Sequence, residues 1–295
     1  MFFQCLVLHN KERPNSVMGG RSTSGDRSKI GGFFFATLLL WLGSVCYCIL
    51  FNNRIDLLFI IAGSLFYQAA NWVVRIFFSR DPLFVNTSVS LLHSTATSAS
   101  VVFILYRQWS TNGSKGMFEH SRLVEGTWPW AYEALCFSCG YFAYDQWDML
   151  RYHLYSGWIP SILVHHLVLL LCFSLALYRN VTINYLILTL ICELHSIFLH
   201  VRKVRRMAGF RDAKNKIAKV EWLLNWGTFF VARLASHILI TVKLIKDAHR
   251  FGRGVELPLA LFGMAGMNLL NIGLGIDLFN AFKRERESQT TYRRE

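Results

Sequence analysis

The chain has 295 residues, 53% hydrophobic, 15% aromatic and 17% charged, with a formal net charge of +13; its mean hydropathy is +0.33. This balance excludes a disordered chain and an ordinary soluble domain, and it belongs with polytopic membrane proteins. The positive charge sits in short segments between apolar runs, without a basic-aromatic motif, so it reads as a topology signal and excludes nucleic acid as a partner.

Residues 1–29 form a basic N-terminal segment, and Ser16–Ser28, rich in Ser and Gly, reads as a flexible cytosolic lead. The first apolar run is too long for the core of a secretory signal, so it reads as a retained anchor. Eight apolar runs follow, at about 33–51, 56–78, 84–106, 129–147, 159–178, 182–200, 222–245 and 257–280. Each is close to the ~20 residues that a bilayer-spanning helix needs. The second is the weakest, because it carries Asn71 and Arg75. The fold class expected is therefore all-α, a polytopic transmembrane helical bundle of about eight spans.

The segments between the runs orient the bundle. Val201–Val220 holds Arg202, Lys203, Arg205, Arg206, Arg211, Lys214, Lys216 and Lys219 against Asp212, and reads as a solvated loop. The tail holds Lys283, Arg284, Arg286, Arg293 and Arg294. With eight spans, both fall on the same side as the basic N-terminal segment, the cytosol by the positive-inside rule. The loop Arg107–Thr127, with the sequon Asn112-Gly-Ser114, falls on the opposite side, as does Asn180-Val-Thr182. A third match, Asn86-Thr-Ser88, falls at the cytosolic entrance of the third run. Of seven cysteines, six lie in apolar runs, and Cys136-x-x-Cys139 lacks the context of a redox motif, so they read as packing residues.

Ionisable residues inside these runs mark a candidate site. His165 and His166 lie in the apolar stretch Ile159–Leu177. Ionisable side chains at membrane depth face a protein interior or a watery cavity. At helical rise the two histidines lie ~10 Å inside the cytosolic face. Glu193 enters from that same face at similar depth, Asp145 is near the exit of the fourth run, and His93 lies deeper on the third. Glu193, Ser196 and His200 share one helical face and His195 points away from it, while Asp145 and Asp148 share another. His165 and His166 are ~100° apart, so one faces a cavity while the other bonds a neighbouring helix. A Glu beside a His can exchange a proton or hold the imidazole tautomer.

Plainer roles exist for several of these residues. His93 reads as an interhelical bridge. Asp148 with Arg151 reads as a solvated ion pair at a helix end. Arg233 and His237, an i, i+4 pair on the seventh run, read equally as a structural pair or a headgroup contact. There is no metal-ligand spacing, no Gly-rich phosphate loop and no nucleophile elbow, so no metal or other cofactor is expected. The candidates for a lipid-binding cavity are His93, Asp145, Asp148, His165, His166, Glu193 and His237. Those for chemistry are His165, His166 and Glu193.

Four segments come in the order seen in the TLC-domain family: Leu91-Leu-His-Ser-Thr95, Cys136-Phe-Ser-Cys-Gly-Tyr-Phe-Ala-Tyr-Asp-Gln-Trp-Asp148, Val164-His-His-Leu167 and Glu193-Leu-His-Ser-Ile-Phe-Leu199. The resemblance covers about residues 82–283 and implies a TLC-type six-helix core. It leaves 30–81 as an N-terminal transmembrane region and 284–295 as a basic cytosolic tail. The chain resembles most the small plasma-membrane TLC proteins that regulate membrane fluidity, through Gly140-Tyr-Phe142, Asp145, Asp148, His165, His166 and Glu193. Ceramide synthases share the paired histidines, one of which is thought to carry an acyl group. Where they bring two aspartates three apart, this chain has Glu193 and Ser196. The second carboxylate is lost, which argues against N-acyltransferase activity.

The resemblance implies a regulator of phospholipid acyl composition that limits polyunsaturated chains, at the plasma membrane or in the endoplasmic reticulum. Its partners are membrane lipids or acyl chains. The second reading is an acyltransferase using acyl-CoA, with His165 or His166 as acyl acceptor and Glu193 tuning its basicity. The basic Val201–Val220 segment then attracts CoA phosphates or anionic lipids. A third is a lipid transporter or trafficking receptor, for which the chain has no inverted repeat and no broken helix.

Overall fold

The computed structural model describes residues 24–155, 161–210, 216–252 and 254–291. They form eleven α-helices: α1 (Ser24–Phe51), α2 (Leu58–Phe77), α3 (Pro82–Met117), α4 (His120–Val124), α5 (Ala131–Arg151), α6 (Ser161–Arg179), α7 (Ile183–Thr189), α8 (Glu193–Met207), α9 (Lys216–Thr228), α10 (Ser236–Lys246) and α11 (Glu256–Thr291). There is no strand among the described residues. Most of the Ser16–Ser28 lead, Arg211, Lys214, Arg293 and Arg294 lie outside them.

Seven stretches are long and apolar enough to cross a membrane: α1, α2, α3, α6, α7 with α8, α9 with α10, and α11. The chain is thus an integral multi-pass membrane protein, an all-α helical bundle. Of the eight runs read from the sequence, the fourth differs. Its helix, α5, has 21 residues, about 31 Å at helical rise, which is long enough to span. It carries Glu133, Asp145, Gln146 and Asp148 and is too polar to face lipid. It does not face lipid: from Ser138 to Leu150 every residue is buried except Trp147. α5 is the central post, and α1, α2, α3, α6 and α7 pack round it.

Small residues bring α2 against α5. A methyl group at Gly140 would overlap the Ile60 carbonyl oxygen and lie 2.8 Å from the Ser64 nitrogen. One at Gly63 would lie 2.8 Å from the Phe137 carbonyl oxygen. Ser64 Oγ donates to the Gly140 carbonyl at 2.8 Å across the same crossing. Close approach through Gly and Ser is the usual way helices associate where lipid supplies no hydrophobic drive. The polar residues that weaken the second run, Asn71 and Arg75, face this post: Asn71 Nδ2 donates to Tyr144 Oη at 2.6 Å and to Asp148 Oδ1 at 3.1 Å.

Three segments depart from the sequence expectation. The expected loop Arg107–Thr127 is largely helical. α3 begins with Pro82 in its first turn and Asp81 accepting from the Phe84 N–H at 2.9 Å, and it runs on to Met117. Ser110 and Thr111 return their hydroxyls to Tyr106 and Arg107, so nothing stops the helix before the kink at Gly113 (φ 64°). The expected solvated loop Val201–Val220 is helical through Met207 and again from Lys216. Arg202 pairs with Glu285 at 2.8 Å and lies 3.9 Å over the Trp222 ring, and Arg205 pairs with Glu221. These cations tie α8 to α9 and α11 instead of meeting only solvent.

The sixth and seventh runs are broken, contrary to the expectation of unbroken helices. A 3-10 turn, Leu190–Cys192, separates α7 from α8. A π-helical turn, Phe229–Ala235, separates α9 from α10. Both breaks border the cavity described next.

Candidate functional site

α8 exposes one stripe to the bundle interior. Glu193, Ser196, His200 and Lys203 recur at helical spacing, and all four line a cavity of about 140 Å³. That is roughly ten times what one water needs by the same measure. α6 contributes His165 and His166, α5 contributes Tyr141 and Asp145, α3 contributes Asn86, Ser90 and Ser94, and the π turn contributes Arg233. A 3-10 break ahead of Glu193 and a π turn around Arg233 set the phase of these two side chains. π turns inside α-helices are frequent at functional sites.

His166 is the anchored member of the histidine pair. Its Nε2 lies 3.4 Å from Asp145 Oδ2. Asp145 Oδ1 accepts from Asn86 Nδ2 at 2.6 Å, and the same amide reaches Asp148 Oδ2 at 3.2 Å. Asp148 also lies 3.7 Å from Arg75, whose guanidinium covers the Tyr152 ring at 4.2 Å. A continuous polar chain therefore runs from the cavity through α5 to the end of α2. His165 lines the cavity beside His166 and is half-buried. The phase argument assigned one histidine to the cavity and the other to a neighbouring helix. The structure has both in the cavity wall, and His166 makes the interhelical contact as well.

Glu193 is held from α3. Ser94 Oγ donates to Glu193 Oε2 at 2.6 Å, and His93 Nδ1 lies 4.0 Å from the same oxygen. His93 is fully enclosed, stacked on Tyr141 with ring centroids 3.6 Å apart and planes 7° apart. It supports Tyr141 and Glu193 from behind the cavity wall.

Other sequence candidates lie elsewhere. Asp148 is 3% exposed, so the solvated pair with Arg151 is incorrect; its partners are Asn71, Asn86 and Arg75. The error is one of proximity: Arg151 is three residues away in sequence, but it points outward at 5.5 Å over the Tyr152 ring. His237 is buried with Nδ1 2.8 Å from the Arg233 carbonyl oxygen, a bond within its own helix, and it does not reach the cavity. His195 turns away to Thr228 and Phe229. Asn86 is 5% exposed inside a helix, so its sequon is not an acceptor site.

Several wall residues were not singled out for the site by the sequence, among them Lys203, Asn86, Ser90, Ser94 and Arg233. Lys203 continues the Glu193, Ser196, His200 spacing, and extending the pattern one turn finds it. Asn86 and Ser94 were passed over because neutral polar residues are common in membrane helices. Arg233 was paired with His237 by spacing alone, and only the π turn reveals that its side chain goes to the cavity.

Beside the polar cavity lies a second cavity of about 80 Å³, lined mostly by apolar side chains of α6, α7, α10 and α11, with Thr182, Tyr185, Thr189 and Glu256 also in its wall. The two share Leu169, Phe173, Thr189 and Met267. A chamber rich in polar side chains beside a more apolar one suits an amphiphile, head in the first and chain in the second. The imidazole–carboxylate pair can also orient or move a proton.

The chain is similar to several known proteins. The chain is 27% identical to TLC domain-containing protein 2 of Danio rerio over 69% of its length and 79% of the relative's. It is 29% identical to human TLC domain-containing protein 2 over 64% of this chain and 65% of that one. With human TLC domain-containing protein 1 it is 27% identical over 53% of this chain and 59% of that protein. No solved structure matches the chain significantly. The model of the TLC domain matches residues 83–280, from the start of α3 into α11 and so across every helix of the cavity wall; the chain belongs to the TLC-domain family.

Proposed function

We propose that this protein regulates the acyl composition of membrane phospholipids, and through it membrane fluidity, by binding a lipid or acyl chain in the joined cavities. One observation carries the reading: the polar chamber and the apolar chamber meet at Leu169, Phe173, Thr189 and Met267. A head and a chain find matching surroundings without leaving the bundle. We further propose that the end bearing Lys203, Arg205 and Arg206 faces the cytosol and that the protein acts at the plasma membrane. Eight crossings, counting α5, put the ends of the chain on that same side.

The test is lipidomics of cells lacking the protein. Phospholipids are expected to gain polyunsaturated chains, membranes to become more fluid, and total ceramide to stay nearly constant. Unchanged acyl unsaturation would overturn the reading.

The His166–Asp145 contact favours a second reading, an acyltransferase fed by acyl-CoA, with one imidazole as acyl acceptor. In that case the purified protein transfers an acyl group, and His165→Ala with His166→Ala abolishes transfer. In the first reading the same pair of substitutions weakens lipid binding, with no turnover to lose.

A further inference from the structure

Arg233 stands near the middle of the span Lys216–Lys246, where a guanidinium is costly. A guanidinium keeps its charge in a protein, so its surroundings must compensate it. Here its acceptors are all neutral: Ser196 Oγ at 2.7 Å, the Cys192 carbonyl at 3.3 Å and Asn271 Oδ1 at 3.3 Å. Among the described residues no carboxylate pairs with it, and its buried Nε donates to nothing. The two carboxylates of the cavity are already engaged, Glu193 by Ser94 and Asp145 by Asn86 and His166. The cavity wall therefore presents a charged fork with an open donor and no carboxylate in contact, although Glu193 and Asp145 line the same cavity.

We propose that Arg233 is the headgroup-selecting residue of the cavity, and that its counter-ion is the oxyanion head, carboxylate or phosphate, of a single-chain lipid. This rests on the lipid-binding reading above and narrows it to an anionic ligand. The planar fork of Arg matches both oxyanions and binds them through two parallel N–H groups. A neutral head would leave this partly buried charge with neutral partners only. Met267 belongs to the walls of both cavities, so the apolar chamber is the nearest place for a chain attached to a head at Arg233. The apolar chamber is small, about 80 Å³, and has no room for two chains.

The test uses the purified full-length chain in neutral detergent and three brominated 18-carbon probes, read by quenching of tryptophan emission. The probes are a fatty acid, a lysophosphatidic acid and the fatty alcohol. At least one anionic probe is expected to bind about tenfold or more tighter than the alcohol, the scale of hydrogen bonds to a charged group. Preference for the acid identifies a carboxylate, and preference for the lysophospholipid a phosphate. Arg233→Gln should erase the preference by weakening the anions while leaving the alcohol unchanged. Arg233→Lys keeps the charge without the fork and should retain part of the preference, which tests the proposal even if Arg233→Gln does not fold. Equal binding of all three probes by the unaltered protein overturns the inference but keeps the lipid-binding reading. Binding of none of the three overturns both. A full preference in either variant overturns the inference alone.

Discussion

At Gly140 on α5, an added methyl group would overlap the backbone of α2; at Gly266 on α11 it would meet nothing within 4 Å. The same contrast runs through the polar groups. Along the α5 wall, Asn71, Asn86, Tyr144, Asp145 and Asp148 satisfy one another in one network. Along the wall of α9, α10 and α11, the polar atoms Asn225 Oδ1, Asn268 Oδ1, Asn271 Nδ2 and His237 Nε2 are buried without partners. Ile240, Leu244 and Met264 of this wall join the main core, while Trp222, Phe229, Leu278 and Ala281 form a small cluster of their own. One side of the cavity is a fixed post and the other is loosely filled. Unsatisfied buried polar groups mark places where a ligand, water or movement completes the structure. The loose wall is also the one that carries the π turn and Arg233.

The largest effect that separates the two walls comes from glycine. Gly140→Ala should force α2 and α5 apart and cost several kcal/mol, on the scale of severe overpacking. Gly266→Ala should be neutral or raise stability by up to ~1 kcal/mol, since Ala is the better helix former. Thermal unfolding of the two purified variants in one detergent measures both. Equal losses would erase the distinction between a fixed and a loose wall.

A smaller contrast lies in the amides. Asn86→Leu leaves Asp145 and Asp148 facing each other without their shared donor and should cost about 3 kcal/mol, the range for an uncompensated buried charge. Asn268→Leu removes one bond, to Thr241 Oγ1 at 3.0 Å, and an already unpartnered oxygen, so its cost should stay near 1 kcal/mol. Amide hydrogen exchange sharpens the point: α5 should exchange last and α11 early. Earlier exchange of α5 than of α11 would reverse the assignment.

How far the sequence discloses these walls follows from the physics of each. Hydrophobic runs and basic segments reveal the spans, because bilayer thickness and charge act on short windows of sequence. The α8 stripe is legible because Glu193, Ser196 and His200 repeat at helical spacing. The partners of Asp148 are not: Asn71 lies 77 residues away on another helix, and no local pattern links them. Arg233 is obscured for a different reason. The π turn has no glycine or proline within it, and Gly227 just ahead of it does not by itself signal a phase shift, so spacing alone pairs Arg233 with His237.

The smallest effect concerns the joint between the two walls. Asp247, at the end of α10, holds Lys243 at 2.5 Å and His120 of α4 at 3.2 Å. Burial alone would raise its carboxyl, but hydrogen bonds from Lys243 and His120 outweigh this and hold it below the usual carboxylate value. A depressed value means that the folded state favours the ionised form. The stabilisation is then fully present above the ordinary carboxylate range, near pH 4, and is lost as pH falls through the lower folded value. Lys243 is partly exposed, so solvent screens the pair and the contribution should be below ~1 kcal/mol. The melting temperature should therefore fall between pH 6 and pH 3 by slightly more in the unaltered protein than in Asp247→Asn. The variant should already be less stable at pH 6. Because the joint ties α4 to the loose wall, acid should also speed amide exchange in α10 before it does so in α5. A variant whose pH profile parallels that of the unaltered protein would remove Asp247 from the joint and leave the contact of α4 with α10 to packing, as of His120 against Phe251.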